Sequence, residues 1–238
     1  MLISLHFSKT AGTSFGKSLK EYFGTRFRRD DDYPIHQSVW QRNQKAIKLC
    51  AINTVRSFAG IDCIHGHFLP LKYFGLSVRI PTWFITWLRD PVERLASHYN
   101  FWLRMYSPNT ALPLHRRVVE EGWSFEKFCF SPELRNYYHS FLWGFPLRGF
   151  AFVGITEHYI EDFVFFSDKF LTGKTPMFSE NVNPERNNNQ YVTNTALRRR
   201  IEAFHALDMR LYNQACELRR KRLVSSINRR VFLPPKAA

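Results

Sequence analysis

The sequence predicts a single α/β domain in which helices flank a central, mainly parallel sheet. Three observations carry that prediction. Short apolar runs rich in β-branched and aromatic residues recur as "LISLHF" (2–7), "IDCI" (61–64), "TWFITWL" (82–88) and "AFVGIT" (151–156). Between them lie stretches with apolar residues at helical spacing, the alternation expected of βαβ units. The 238 residues, 45% hydrophobic with 23 phenylalanines, suffice for one well-filled core and are short for two.

Leu2–Phe7 reads as a buried strand, and the helix predicted from Thr13 carries Phe15, Leu19 and Tyr22 along one stripe. Ile61–Ile64 and Thr82–Leu88 read as strands. The second runs into Arg89-Asp90-Pro91, where Asp90 can cap a helix with Pro91 in its first turn. In that helix Val92, Leu95, Tyr99 and Trp102 form an apolar stripe, expected to pack on the sheet, while Ser97 falls on the opposite face. Ala151–Thr156 is a further strand, followed by a helix over Glu157–Phe166. The last helix is expected from about Ala196 to Leu223, with Leu197, Ile201, Phe204, Leu211 and Ala215 on one stripe. Asp208 shares that stripe, so either the helix breaks near it or the carboxylate pairs with an arginine. Pro108–Phe150, rich in aromatic residues, can cover the sheet on the substrate side, and Asn181–Gln190 reads as a polar loop. No repeat or linker appears, so residues 1–238 divide only into a core (1–223) and a basic tail (224–238).

The formal net charge of +14 favours anionic partners: nucleic acid, acidic lipid, nucleotide or acidic polysaccharide. The runs Leu197–Arg200 and Arg219–Arg222 are expected to form a solvated helix face rather than a dedicated site. Cys50, Cys63, Cys129 and Cys216 show no CxxC pair and no metal-ligand spacing, which favours reduced thiols. No apolar run approaches the ~20 residues of a membrane span. "MLISLHF" lacks a basic leader and a cleavage pattern, so the expected location is cytoplasmic.

His6–Ser14, His65–Phe68, Arg89–Ser97 and Thr156–Glu157 all fall at the carboxyl ends of predicted strands, where parallel sheets bind ligands. In "HFSKTAGTSF" (6–15) a helix start supplies outward N–H groups and a favourable dipole, and Lys9 adds a positive charge. Gly12 would let the backbone approach an anion closely, and Thr13 and Ser14 add hydroxyls. A tight turn capped by Thr13 or Ser14 explains the same residues without a ligand. The pattern is not a Walker A loop, because the lysine precedes the glycine. In "LRDPVERLASHYNFW" (88–102), Arg89 and Ser97 can clamp a second phosphate. The alternative there is a capped helix with an incidental serine.

Together "HFSKTAGTSF" and "RDPVERLASHY" resemble the sulfotransferases that use 3′-phosphoadenosine 5′-phosphosulfate (PAPS), specifically the carbohydrate group that includes the heparan sulfate and uronyl 2-O-sulfotransferases. "IHGHF" (64–68), "FVGITEHYIEDF" (152–163) and "LDMRLYNQACE" (207–217) extend the resemblance in order, from residue 3 to about 217. The resemblance implies a three-layer fold like that of P-loop NTPases. It implies that Lys9, Thr10, Gly12, Thr13 and Ser14 surround the 5′-phosphosulfate and that Arg89 and Ser97 hold the 3′-phosphate. Ser8 stands where the family usually has proline, and no N-terminal membrane anchor is present. A short bacterial cytoplasmic relative is the form this suggests, with the Golgi lumen applying only to an anchorless fragment of a eukaryotic relative.

The implied mechanism needs no metal. Lys9 would stabilise the leaving oxygen, and a histidine, with a reference pKa of ~6.5, would take the acceptor proton. His67 is the first choice and His65 the second. In a continuing strand the two point to one face, so that one can act as base while the other orients the acceptor. A His-x-His pair can also begin a metal site, but no third ligand is evident. The expected acceptor is a carbohydrate or other hydroxyl compound, including an acidic glycan on the strength of the charge, with PAP (adenosine 3′,5′-bisphosphate) as product. Two competing classes remain: a P-loop-like kinase, which requires ATP–magnesium, and a basic nucleic-acid-binding module, which leaves both phosphate motifs unexplained.

Overall fold

Strands form at the four apolar runs and at a fifth place that the pattern does not announce. The computed structural model describes residues 1–32, 38–172, 175–178 and 191–231. β1 (Leu2–Leu5) leads to α1 (Gly12–Phe23), β2 (Phe27–Arg29), α2 (Val39–Val55), β3 (Cys63–Gly66), α3 (Leu71–Phe74) and β4 (Trp83–Leu88). Four helices follow: α4 (Pro91–Arg104), α5 (Pro113–Glu120), α6 (Phe125–Cys129) and α7 (Tyr137–Phe141). Then come β5 (Phe152–Ile155), α8 (Tyr159–Phe170), α9 (Thr195–Phe204) and α10 (Ala206–Val231).

The five strands pair in parallel in the order β2-β3-β1-β4-β5, as expected for an α/β fold. In register, Leu2 lies opposite both Cys63 and Trp83. Side chains alternate between two cores, as the two-residue period of a strand requires. Leu2, Cys63, Ile85 and Trp87 pack with α1 and α8 through Phe15, Leu19, Phe163 and Phe166. Ile3, Leu5, Ile64 and Phe84 pack on the other face with α3, α7 and α10 through Tyr73, Tyr138, Phe141 and Ala215. Helices thus cover both faces, giving three layers. β1 and β4 are neighbours whose outgoing connections lead to opposite edges, one to β2 and the other to β5. The crevice beyond their carboxyl ends is where such sheets bind ligands.

Three expectations need correction. The apolar stripe of α4 does not pack on the sheet: Val92 and Leu95 join Val118, Phe128 and Ile201 from α5, α6 and α9 in a third core. The single C-terminal helix is two, ending and restarting at His205, whose Nε2–H donates to the Cys129 carbonyl at 2.8 Å. Asp208, in the first turn of α10, is fully buried and accepts the N–H groups of Tyr138 (3.1 Å) and His139 (3.0 Å), tying the start of α7 to α10. The nearby Arg94 lends it positive charge without a hydrogen bond: that guanidinium is buried against the ring faces of Tyr137 and Tyr138, 4.6 and 5.5 Å from their centroids. The basic runs, finally, are not a bare solvated face. Arg219 and Arg222 both reach the buried Asp162, at 2.9 and 2.8 Å, and Arg198 bridges Asp90, Glu93 and Glu202. α10 continues to Val231, so the expected tail begins as helix. Among the described residues no helix is long and apolar enough to cross a membrane.

Candidate active site

The loop after β1 turns sharply. Thr10 is fully buried, and its hydroxyl donates to the Phe7 carbonyl at 2.9 Å. Lys9 and Ala11, neither of them glycine, take left-handed backbone angles, φ 69° and 61°. Such angles are disfavoured for residues with a Cβ and persist where the surroundings impose them. The outcome is that α1 begins with Ala11 at its N-cap, a residue with no side-chain acceptor, and with no acidic residue in its first turn. The uncapped first turn and the positive end of its dipole therefore favour an anion. They face a cavity of about 870 Å³, which Lys9, Gly12, Thr13 and Ser14 help to line.

From the far side β4 delivers Arg89. Its backbone is fixed by Tyr138, whose hydroxyl accepts the Arg89 N–H (3.1 Å) and donates to the Arg89 carbonyl (2.9 Å). Asp90 then starts α4 by accepting the N–H groups of Val92 and Glu93, at 2.9 and 3.1 Å. The largely buried Arg89 guanidinium donates to the Lys9 carbonyl at 3.4 Å and lies 5.6 Å from the Tyr191 ring centre. Two turns into α4, Ser97 reaches the same cavity. Burial, followed by the charges of Arg104 and Arg89, lowers the Lys9 ammonium from 10.5 to about 8. Its Nζ sits 3.8 Å over the Phe101 ring, a cation–π contact.

Three histidines stack beside the loop. The His6 ring lies 4.2 Å from His67 on one side and 5.3 Å from His65 on the other. Burial, and then the neighbouring histidines, drive His6 well below its ordinary value, and burial with the charges of His67 and Arg29 takes His65 to about 3. His65 lies away from the cavity, its Nδ1 2.8 Å from the Ser4 hydroxyl. His67 does line the cavity, and its Nδ1 is 2.8 Å from Asp31 Oδ1. Burial pushes Asp31 up, but hydrogen bonds from His67 and Arg29 prevail and hold it well below the carboxylate range. An ionised Asp31 only accepts, so the His67 Nδ1 carries a hydrogen, and in the neutral ring the lone pair lies on Nε2.

The structure thus brings Lys9, Gly12, Thr13, Ser14, Arg89, Ser97 and His67 to one cavity, and leaves Thr10 and His65 outside its wall. Thr10 shapes the loop instead. Gly12 has a reason the sequence did not suggest: a Cβ there would stand 1.8 Å from the His6 ring. Glu157 accepts the Asp90 N–H at 2.9 Å, tying β5 to the start of α4. The 181–190 loop lies outside the described residues. Among those described, no group of three or more His, Cys, Asp or Glu side chains is arranged to hold a metal ion. Sequence reasoning missed Asp31, whose signal was hidden in the mixed run "RFRRDDD" (26–32), and the apolar wall from α4 and α5, which needed the fold to assemble it. No family model matches the chain, and a search of curated proteins finds no match either.

Proposed function

We propose that the chain is a PAPS-dependent sulfotransferase acting on a hydroxyl acceptor, a carbohydrate by the resemblance of its motifs. The single observation that carries the reading is that two anion-receptive surfaces and an Asp31–His67 pair open into one cavity. The donor set fits a bisphosphorylated nucleotide. On the phosphate side stand an ammonium, a guanidinium, hydroxyls and backbone N–H groups, while the carboxylate among the described lining residues, Glu133, is held by Arg117 at 3.0 Å. Lys9, Thr13, Ser14 and the start of α1 would hold the 5′ side, and Arg89 and Ser97 the 3′-phosphate. Bound PAPS would supply a sulfuryl group that forms a bond to the acceptor oxygen as its bond to the phosphate oxygen breaks, releasing PAP. His67 Nε2 would take the acceptor proton, and Asp31 would hold the ring and offset the charge that develops on it. Lys9 would balance negative charge gathering on the departing phosphate. The four free cysteines suit a reducing compartment such as the cytoplasm.

Calorimetric titration with PAP, beside ADP and ATP–magnesium, tests this on wild type and Arg89→Ala. The reading expects PAP to bind selectively and Arg89→Ala to weaken it by about 10- to 100-fold, the worth of a charge-assisted hydrogen-bonded pair. Equal or tighter binding of ATP–magnesium, or no response to PAP, overturns it.

A further inference from the structure

The phosphate-facing groups occupy only part of the cavity. Along α4, Ser97, Phe101 and Met105 follow one another at four-residue spacing, so one helix face leads away from the phosphate clamp in steps of ~6 Å. The wall changes character along that line. Phe101, Trp102 and Met105 are met across the gap by Leu112 and Leu114 at the start of α5 and by Phe141 of α7. Met105 and Leu112 are 61% and 43% exposed, apolar side chains held open to water beside a cavity. Trp102 is fixed there, its ring stacked 4.9 Å from His115, whose Nε2–H donates to the Trp102 carbonyl at 2.8 Å.

The two arginines that line the cavity away from Arg89 have carboxylate partners. Arg117 pairs with Glu133 at 3.0 Å and with Glu121 at 3.6 Å, and Arg29 pairs with Asp31 beside His67. A polyanion would have to compete with these pairs and would meet aromatic and aliphatic surface in return. Small-molecule sites that are mostly apolar with a few placed polar groups commonly span ~300–1,000 Å³, and this cavity is at the upper end. The chain's +14 charge therefore does not describe its acceptor wall.

We infer that the acceptor is a low-charge amphiphile, a hydroxyl compound whose apolar body packs on Phe101, Trp102, Met105, Leu112, Leu114 and Phe141, and not a polyanionic glycan. The inference rests on the sulfotransferase reading for the role of the ligand, and on the wall itself for its chemistry.

The test is calorimetric titration of the PAP-saturated protein with octyl β-glucoside, kept below its micelle concentration, and with heparosan as the polyanion. The comparison variants are Leu112→Asp and Met105→Gln. Leu112 is the N-cap of α5, where aspartate favours the helix, so that variant keeps its fold. The expected result is saturable, salt-insensitive binding of octyl β-glucoside, weakened at least ~10-fold in each variant by the polar group set against the apolar body, with PAP affinity unchanged. Tighter, steeply salt-dependent binding of heparosan overturns the inference, as does octyl β-glucoside binding that ignores both substitutions or does not occur. If PAP itself fails to bind, the sulfotransferase reading falls, and the same titration without PAP still decides what the wall accepts.

Discussion

Lys9→Met separates what the site needs from what the fold prefers. Lysine at this position is charged at neutral pH in both the folded and unfolded chain, but burial lowers its folded value from 10.5 to about 8. At ~1.36 kcal/mol per pH unit, that drop corresponds to ~3 kcal/mol of destabilisation by the charged form. Lys9 is only partly buried, and solvent screening reduces the figure to ~1–2 kcal/mol. Methionine removes the charge and keeps a contact with the Phe101 ring through its sulfur. The variant should therefore be more stable than wild type at pH 7 by ~1–2 kcal/mol while binding PAP far more weakly. The sign with pH follows from the direction of the shift. Between about 8 and 10.5 the unfolded chain binds more protons at Lys9, so wild-type stability recovers as pH rises and the gap to Lys9→Met closes. Urea unfolding at pH 7 and pH 9.5 measures both quantities. A destabilised Lys9→Met at pH 7, or a gap that does not narrow at pH 9.5, would refute the reasoning.

Other substitutions probe the remaining parts. His67→Ala should lower sulfuryl transfer by ~10²- to 10⁴-fold, measured with labelled PAPS, and leave calorimetric PAP affinity unchanged. Asp31→Asn should cost about 10- to 100-fold in kcat, because a neutral amide does not offset the charge developing on His67 and its NH2 can select the other tautomer, with little effect on PAP binding. For Asp208, burial raises the carboxyl to about 6, so the folded chain binds more protons than the unfolded one between about 3.8 and 6. Its contribution to stability is fully present below that window and is lost as pH rises through it, a change of ~3 kcal/mol. Asp208→Asn should flatten the pH profile of thermal stability across the window, and an unchanged profile would count against the assignment.

The parallel sheet was legible because four of its strands are continuous apolar runs, the pattern of strands buried on both faces. β2 was not, since three residues with two arginines carry no such pattern, and only pairing to β3 makes Phe27–Arg29 a strand. Missing β2 meant missing Asp31: without that strand nothing brings the 30–32 acids beside His67. Spacing also suggested a strand running on through His65 and His67 with both rings on one face. β3 ends at Gly66, whose missing Cβ makes room for the Asp30 carbonyl, at 1.9 Å from where it would lie, yet the pairing runs on: the Asp32 N–H donates to the His67 carbonyl at 3.0 Å, and the rings of His65 and His67 both lie against His6. What differs is their surroundings, since His67 lines the cavity while His65 stays beneath α1. The α4 stripe was correctly apolar, but periodicity cannot say what a stripe packs against.

That packing has a consequence for the site. Because the apolar stripe of α4 faces α5, α6 and α9 and not the sheet, residues from Ser97 to Met105 are left to line the cavity. The start of α4 is held to the sheet by Glu157 on the Asp90 N–H and to α9 by Arg198 on Asp90 and Glu93. Both anchors sit beside Arg89, and neither touches Met105, where the apolar wall begins to open. The first turn of α4, beside Arg89, is thus held by two neighbouring elements, while its last turn runs out to the exposed Met105. On the proposed reading, Arg198→Ala should weaken calorimetric PAP binding and leave octyl β-glucoside binding at the apolar wall unchanged, because its pairs with Asp90 and Glu93 restrain only the first turn of α4.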